Sequence, residues 1–255
     1  QVLRIAAGIR SAALLPLVWF LDRREHRDAA ARRRAWRTVV TPGIIIGVLL
    51  FAGSALQQLG IEQTTAGNAA FVTGLYMVIV PVAGRLFGHT TPAVTWAGIA
   101  LAVPGLFLLT WTGAGIGPGD LLCLIGAGVW AFHILAVGKA SGAMDPIRLS
   151  IAQFVVAAVL GTFAAPLFES HPFGGIEEAL GAVVFAGLVS TGVGYTLQVV
   201  GMRHARASVA AMIMALEAVF GALGGVLFLG ERLTGRGLLG AGLMMAGILV
   251  TQLPS

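Results

Sequence analysis

"LQVVGMRHARASVAAMIMALEAVFGALGGVLF", residues 197–228, repeats an earlier stretch, "LQQLGIEQTTAGNAAFVTGLYMVIVPVAGRLF", residues 56–87. The offset is 141 residues and 11 of the 32 positions are identical, among them Gln57/Gln198, Gly60/Gly201, Leu75/Leu216 and Gly84/Gly225. Ala and Leu matches come cheaply in a sequence rich in both, but glutamine and glycine pairs do not. After a slip of one residue the match continues through Gly98/Gly240 and Gly105/Gly247. The chain reads as two copies of one unit.

Both copies are too apolar for water. Of 255 residues, 57% are hydrophobic and 11% charged, where a soluble domain carries about 25% charged residues. Mean hydropathy is +0.91, and the 36 glycines suit helices that pack closely in lipid. Hydropathy and turn signals predict nine spans, at Val2–Leu21, Thr41–Ile61, Ala66–Phe87, Pro92–Trp111, Leu121–Gly138, Ile147–Phe168, Leu180–Met202, Ser208–Leu229 and Leu238–Leu253. The links are short and carry breakers such as "GHTTP", "TGAGIGPGD" and "SHPFGG". None is long enough for a soluble domain, so the expected fold is all-α, a polytopic membrane helical bundle.

Charge sets the orientation. The first loop, "DRREHRDAAARRRAWR", holds seven Arg against three acids, which places it in the cytoplasm. Alternation then puts Arg85, Lys139, Arg148, Arg203 and Arg206 inside, and Glu62, Asp120, Glu169, Glu177 and Glu178 outside. Arg232 and Arg236 are exceptions. The net charge of +5 is therefore a topology signal, with anionic headgroups rather than nucleic acid as the partner of the Arg run. Arg4 and Arg10 interrupt the first apolar stretch, unlike a cleavable signal peptide.

Five spans follow Asp120 and four precede it, so the repeat arithmetic predicts a further span before Gln1. An odd number of spans per copy forces the copies into opposite orientations, an arrangement characteristic of secondary transporters. The expected organisation is two inverted five-helix repeats with nine of ten spans present: residues 1–111, the first repeat without its first helix, and residues 112–255, the second.

Three stretches carry a family resemblance: "LQQLGIEQTTAGNAAFVTGLYMVIVPV", "GDLLCLIGAGVWAFHILAVGKASGAMDPIRLSIAQF" and "LEAVFGALGGVLFLGERLTGRGLLGAGLMMAGI". The chain resembles the EamA-domain proteins of the drug/metabolite transporter superfamily, whose third and fourth, sixth and seventh, and ninth and tenth helices these stretches look like. The "L-E-x-V" and "G-E-R" elements of the last stretch belong to that likeness. Three departures stand out: the first helix is absent, the proline usual after the ninth-helix glutamate is Ala218, and the first-half "G-E-R" reads "GHTT". The resemblance implies a bundle around a central cavity. It also implies an integral membrane secondary transporter of the bacterial cytoplasmic membrane (the cell inner membrane), exporting a small metabolite, amino acid or drug-like molecule. A flippase for a lipid-linked substrate is the alternative.

Glu217 is the only charge between Ala207 and Gly230. At a rise of ~1.5 Å per residue it lies about 16 Å from Arg206 and about 21 Å from Glu231, near the midplane of a ~30 Å core. An ionised acid there costs ~2.5–3.5 kcal/mol to insert, and such residues mark substrate paths or proton relays. Other polar residues form stripes. Thr191, Tyr195 and Gln198 share one helical face; Ser54, Gln57 and Gln58 form the equivalent face of the first repeat; Gly126, Trp130 and His133 make a third. Asn68 and Tyr76 lie on one helix, with Tyr76 the counterpart of Glu217. The candidate substrate-binding residues are thus Gln57, Asn68, Tyr76, Trp130, His133, Tyr195, Gln198 and Glu217. Interhelical hydrogen bonding, or packing for the aromatics, is the competing reading of each.

Enzyme chemistry finds no motif. Cys123 is the lone cysteine, the histidines lack i, i+4 pairing, and no G-x-S-x-G, Walker or H-E-x-x-H pattern occurs. "GAGIGPG" joins two spans and lacks the P-loop lysine. The expectation is a non-enzymatic carrier with no cofactor and no metal. Its partners are a small-molecule substrate and the bilayer, with proton coupling through Glu217 as an option and both monomer and homodimer open.

Overall fold

A computed structural model of the chain describes residues 18–19, 23, 28–111, 113, 115–168, 181, 184–185 and 192–253. Arg4, Arg10, Thr191 and most of the first expected span lie outside the described residues. Those described are helical, with no strand among them. The helices are α1 (Ala29–Ile61), α2 (Ala66–Gly74), α3 (Tyr76–Leu86), α4 (Ala93–Thr110), α5 (Pro118–Ser141), α6 (Pro146–Phe168), α7 (Gly194–Gly201), α8 (Ala207–Met214), α9 (Glu217–Leu229) and α10 (Gly235–Thr251). Six described stretches are long and apolar enough to cross a membrane, counting α2 with α3 and α8 with α9 as one each. The protein is a multi-pass membrane protein.

Seven of the nine expected spans fall on described residues, and three of them differ from expectation in an informative way. The span expected from Thr41 begins at Ala29, because Ala and Arg are strong helix formers and Asp28 caps the start, accepting from the Ala31 N–H at 2.6 Å. The spans expected at Ala66–Phe87 and Ser208–Leu229 are each interrupted by a tight turn. The breaks fall at Leu75 (φ −61°, ψ −12°) and at Ala215–Leu216 (Leu216 φ −62°, ψ −12°). Leu75 and Leu216 are repeat counterparts, 141 residues apart.

The chain divides into two compact units, each drawing on both sequence halves: Gln1–Ala52 with Ala136–His204, and Gly53–Leu135 with Ala205–Ser255. In the first, a Cβ at Gly43 would collide with Ala152, and one at Gly47 would lie 2.7 Å from the Gln153 carbonyl oxygen, so α1 lies directly on α6. Asp145 caps α6, accepting from the Ile147 and Arg148 N–H groups at 3.1 and 3.0 Å, and pairs with the buried Arg148 guanidinium.

The second unit is built around α4 and α10. A Cβ on Gly105 would lie 2.7 Å from the Gly240 carbonyl oxygen; one on Gly240 would lie 2.6 Å from that of Gly105. Gly98 and Gly247 face each other in the same reciprocal way. The helices therefore run antiparallel, close enough for Cα–H···O contacts. The repeat pairs Gly98 with Gly240 and Gly105 with Gly247, so each glycine touches the counterpart of the other. That reciprocal pattern is the signature of a local two-fold axis. Within this unit the paired segments are inverted.

Candidate substrate cavity

The two helix interruptions bring counterpart residues together. Tyr76 opens α3 and Glu217 opens α9, and the Tyr76 hydroxyl donates to the Glu217 carboxyl at 3.5 Å across a sequence separation of 141. A residue that meets its own counterpart lies on the local two-fold. Tyr76 is 3% exposed, whereas Glu217 is exposed. The carboxyl opens into a cavity of about 470 Å³ whose polar lining is Gln57, Thr73, Thr110, Glu217 and Glu231. Ala66, Ala69, Ala70, Leu106, Leu109, Ala218, Gly221 and Ala222 are among its apolar walls. A Cβ at Gly221 would meet no atom within 4 Å.

The other predicted residues fall into three groups. Trp130, buried, donates its indole N–H to the Gln57 side-chain oxygen at 3.1 Å, and its ring packs against Gly53. His133, fully buried, stands edge-on to Trp130 with centroids 5.4 Å apart. Tyr76 and Trp130 thus each hydrogen-bond a cavity-lining residue, Glu217 and Gln57 respectively, and are not among the lining residues themselves. Asn68 is fully buried at the start of α2, where its N–H donates to the capping Thr65 hydroxyl at 3.1 Å. Its side chain is engaged with Asp120, which also accepts from Thr64 at 2.7 Å and from the Gly117 N–H at 2.7 Å. Tyr195 and Gln198 belong to the other compact unit; Tyr195 stands edge-on to Phe154 at 6.5 Å and Gln198 contacts the Met202 sulfur at 3.9 Å.

Thr73, Thr110 and Glu231 line the cavity without having been singled out from sequence. Glu231 follows the helix end, where Gly230 takes a left-handed conformation (φ 69°), and its carboxyl folds back over Gly225. The signal available for it was the repeat. His89, its counterpart after the slip, follows Gly88 (φ 77°) and lies against Gly84, the counterpart of Gly225. His89 lines a second cavity of about 300 Å³ in the same unit, with Val80, Pro81, Thr90, Thr91, Arg206 and Ser208. Val80, Pro81, Ala207 and Ser208 there are counterparts of Gly221, Ala222, Ala66 and Gly67 in the first cavity. Part of each cavity's wall is thus built from counterpart residues.

A family model for the EamA-like transporter family matches residues 2–111 and 117–253. The chain belongs to the EamA-like transporter family. Among curated relatives, an uncharacterized transporter of Archaeoglobus fulgidus is 29% identical over 197 residues, covering 75% of this chain and 62% of that protein. The threonine/homoserine exporter RhtA of Escherichia coli K12 is 28% identical over 199 residues, covering 76% and 64% respectively. The match thus spans less than two thirds of the length of these EamA relatives. A solved crystal structure shares the fold at a TM-score of 0.77, with 18% identity, over 98% of this chain and 86% of that one.

Proposed function

We propose that this EamA-family chain acts as a membrane transporter, exporting a small metabolite across the cytoplasmic membrane, with the Glu217 cavity as its substrate site. The observation that carries the reading is the pair of helix interruptions at counterpart positions, which place a carboxyl, an amide and hydroxyls around an opening inside an apolar helical unit. Substrate sites of inverted-repeat transporters form where discontinuous helices meet, and ionisable groups at membrane depth mark substrate paths and proton relays.

Under the positive-inside reading, the Glu231 end of the first cavity faces outward and the Arg206 end of the second faces the cytoplasm. Two vestibules with counterpart walls on opposite faces suit alternating access, one narrowing as the other widens. Glu217 stands on the axis relating them and is the group placed to exchange a proton for substrate. The hydroxyl of Tyr76 fixes its carboxyl, and the Trp130 indole fixes the amide of Gln57. The exporter name of the Escherichia coli relative makes small hydroxy amino acids the first substrates to try.

Full-length protein in proteoliposomes, given labelled threonine and an imposed pH gradient, tests this. The expected result is gradient-driven transport that Glu217→Gln abolishes while downhill exchange persists. Gradient-driven transport unchanged in the variant removes Glu217 from coupling. Absence of transport across a panel of amino acids and amines overturns the exporter reading.

A further inference from the structure

The two cavities share part of their walls but not their charge. Glu217 and Glu231 line the first, together with Gln57 and two threonine hydroxyls, and no Lys, Arg or His is among its lining residues. The second has His89 in place of Glu231 and adds Arg206, with no carboxyl among its lining residues. The architecture alone therefore does not dictate two acids on one side. Arg236, the nearby cation on α10, is turned to the Phe107 carbonyl oxygen at 3.1 Å and to its ring.

Glu217, Gly221 and Gly225 lie at i, i+4 and i+8, one face of α9. The Glu231 carboxyl covers Gly225, so the two acids mark the ends of a glycine-floored strip about 12 Å long at ~1.5 Å per residue. The strip is open over Gly221.

We propose that the first cavity recognises its substrate through a cationic amino group, seated against the Glu231 carboxyl on the strip that leads to Glu217, and that it discriminates against anions. This deepens the reading of the cavity as the substrate site and rests on it. An ammonium presents three donors and no acceptor, which suits a lining of carboxyls and an amide. An anion without an amino group would meet the two acids with no cation to pair with, and like-charge juxtaposition of that kind is how a site excludes a wrong partner; a zwitterion can still present its ammonium to Glu231.

Phenethylamine, 2-phenylethanol and 3-phenylpropionate form a size-matched cation, neutral and anion series. Their binding to purified full-length protein can be read from the concentration dependence of the unfolding temperature. The expected order is amine first, alcohol weaker and carboxylate without effect. Glu231→Gln should weaken the amine about tenfold, as befits loss of one charge-assisted hydrogen bond. Gly225→Ala is the second variant: its Cβ displaces the Glu231 carboxyl while keeping the charge, and should weaken the amine comparably. Alcohol or carboxylate binding as tightly as the amine overturns the inference, and so does amine binding indifferent to both variants. If no probe binds while proteoliposomes transport a substrate without an amino group, the cation preference falls and the exporter reading stands. Charge-selective amine binding without transport leaves the inference in place and counts against the exporter reading.

Discussion

The α4–α10 contact and the pair of cavities are both products of the same repeat, yet they have kept different things. At the α4–α10 contact the glycines are kept in both copies: Gly98, Gly105, Gly240 and Gly247 each lie against the backbone of the partner helix. Where counterpart segments face separate spaces, they differ: Val80 against Gly221, Pro81 against Ala222, His89 against Glu231. At this contact each glycine lies against the backbone of the other copy, so a larger residue in either copy forces the two helices apart. A cavity wall answers only to what fills the cavity. Exchanging residues between counterparts therefore tests which regime a position is in.

The largest effect is expected at the contact. Val at Gly105 would put its Cβ 2.7 Å from the Gly240 carbonyl oxygen and 2.9 Å from the Met244 nitrogen. Neither is the end of a flexible side chain, so the helices must separate. Overpacking of a tight core costs ~1–3 kcal/mol, and a forced backbone shift belongs at the top of that range. Gly105→Val and Gly247→Val should each lower the unfolding temperature in detergent sharply or abolish monodisperse protein. Wild-type stability for either would mean that α4 and α10 do not meet there.

The cavity should respond oppositely. Gly221→Val copies the counterpart Val80 onto a wall where a Cβ meets no atom. Folding should be unharmed, since replacing a helical glycine removes a penalty of up to ~1 kcal/mol, less the smaller cost of β-branching. Binding of phenethylamine should nonetheless fall about tenfold or more, the equivalent of ~1.4 kcal/mol, because the branched side chain occupies the strip between the acids. Intact binding would show that the amine sits elsewhere.

Much of this contrast was legible in the sequence. Composition gave the membrane, the offset of 141 gave the repeat, and the glycine pairs already marked α4 and α10. The helix breaks were not legible: Leu75 and Ala215–Leu216 are good helix formers, and the interruption is imposed by what packs around them rather than by local preference. The meeting of Tyr76 with Glu217 could have followed from symmetry, since positions on a two-fold touch their counterparts, but a sequence offset does not say where the axis passes. Glu231 was hidden for another reason. It lies past the helix end, outside any hydropathy window, and reaches the cavity only because the left-handed Gly230 turns the chain back. Of Gln57 and Gln58, adjacent in sequence, Gln57 reaches the cavity while Gln58 is exposed and faces Glu62 at 3.5 Å.

A third exchange separates packing from placement. Trp130→Phe keeps the ring beside Gly53 and His133 but removes the donor to Gln57. A neutral hydrogen bond contributes roughly 0.5–1.5 kcal/mol, so stability should drop by no more than that. The amide of Gln57, released from its fixed pose, should lower substrate affinity a few-fold. A purely structural Trp130 would give the stability loss without the affinity loss.

The smallest effect is expected at the helix starts. Thr65 and Arg206 are counterparts and both take the extended conformation of a capping residue, with φ, ψ of −78°, 150° and −66°, 139°. Thr65 accepts from the N–H three residues on, whereas Arg206 makes no side-chain cap. Arg206→Thr copies the first-half cap onto α8. A good cap contributes about 0.5–2 kcal/mol over a poor one, and removing a cation from a helix N-terminus adds a few tenths more. The expected gain is about 0.5–1 kcal/mol at the low end of those ranges, seen as a small rise in unfolding temperature and slower hydrogen exchange at Val209. Arg206 also lines the His89 cavity, which lets the same variant sharpen the comparison. If that cavity is a passive counterpart, amine binding at the Glu217 cavity should not change. A loss of stability instead of a gain would mean that the arginine holds the second cavity together, and that both cavities, not one, are under chemical constraint.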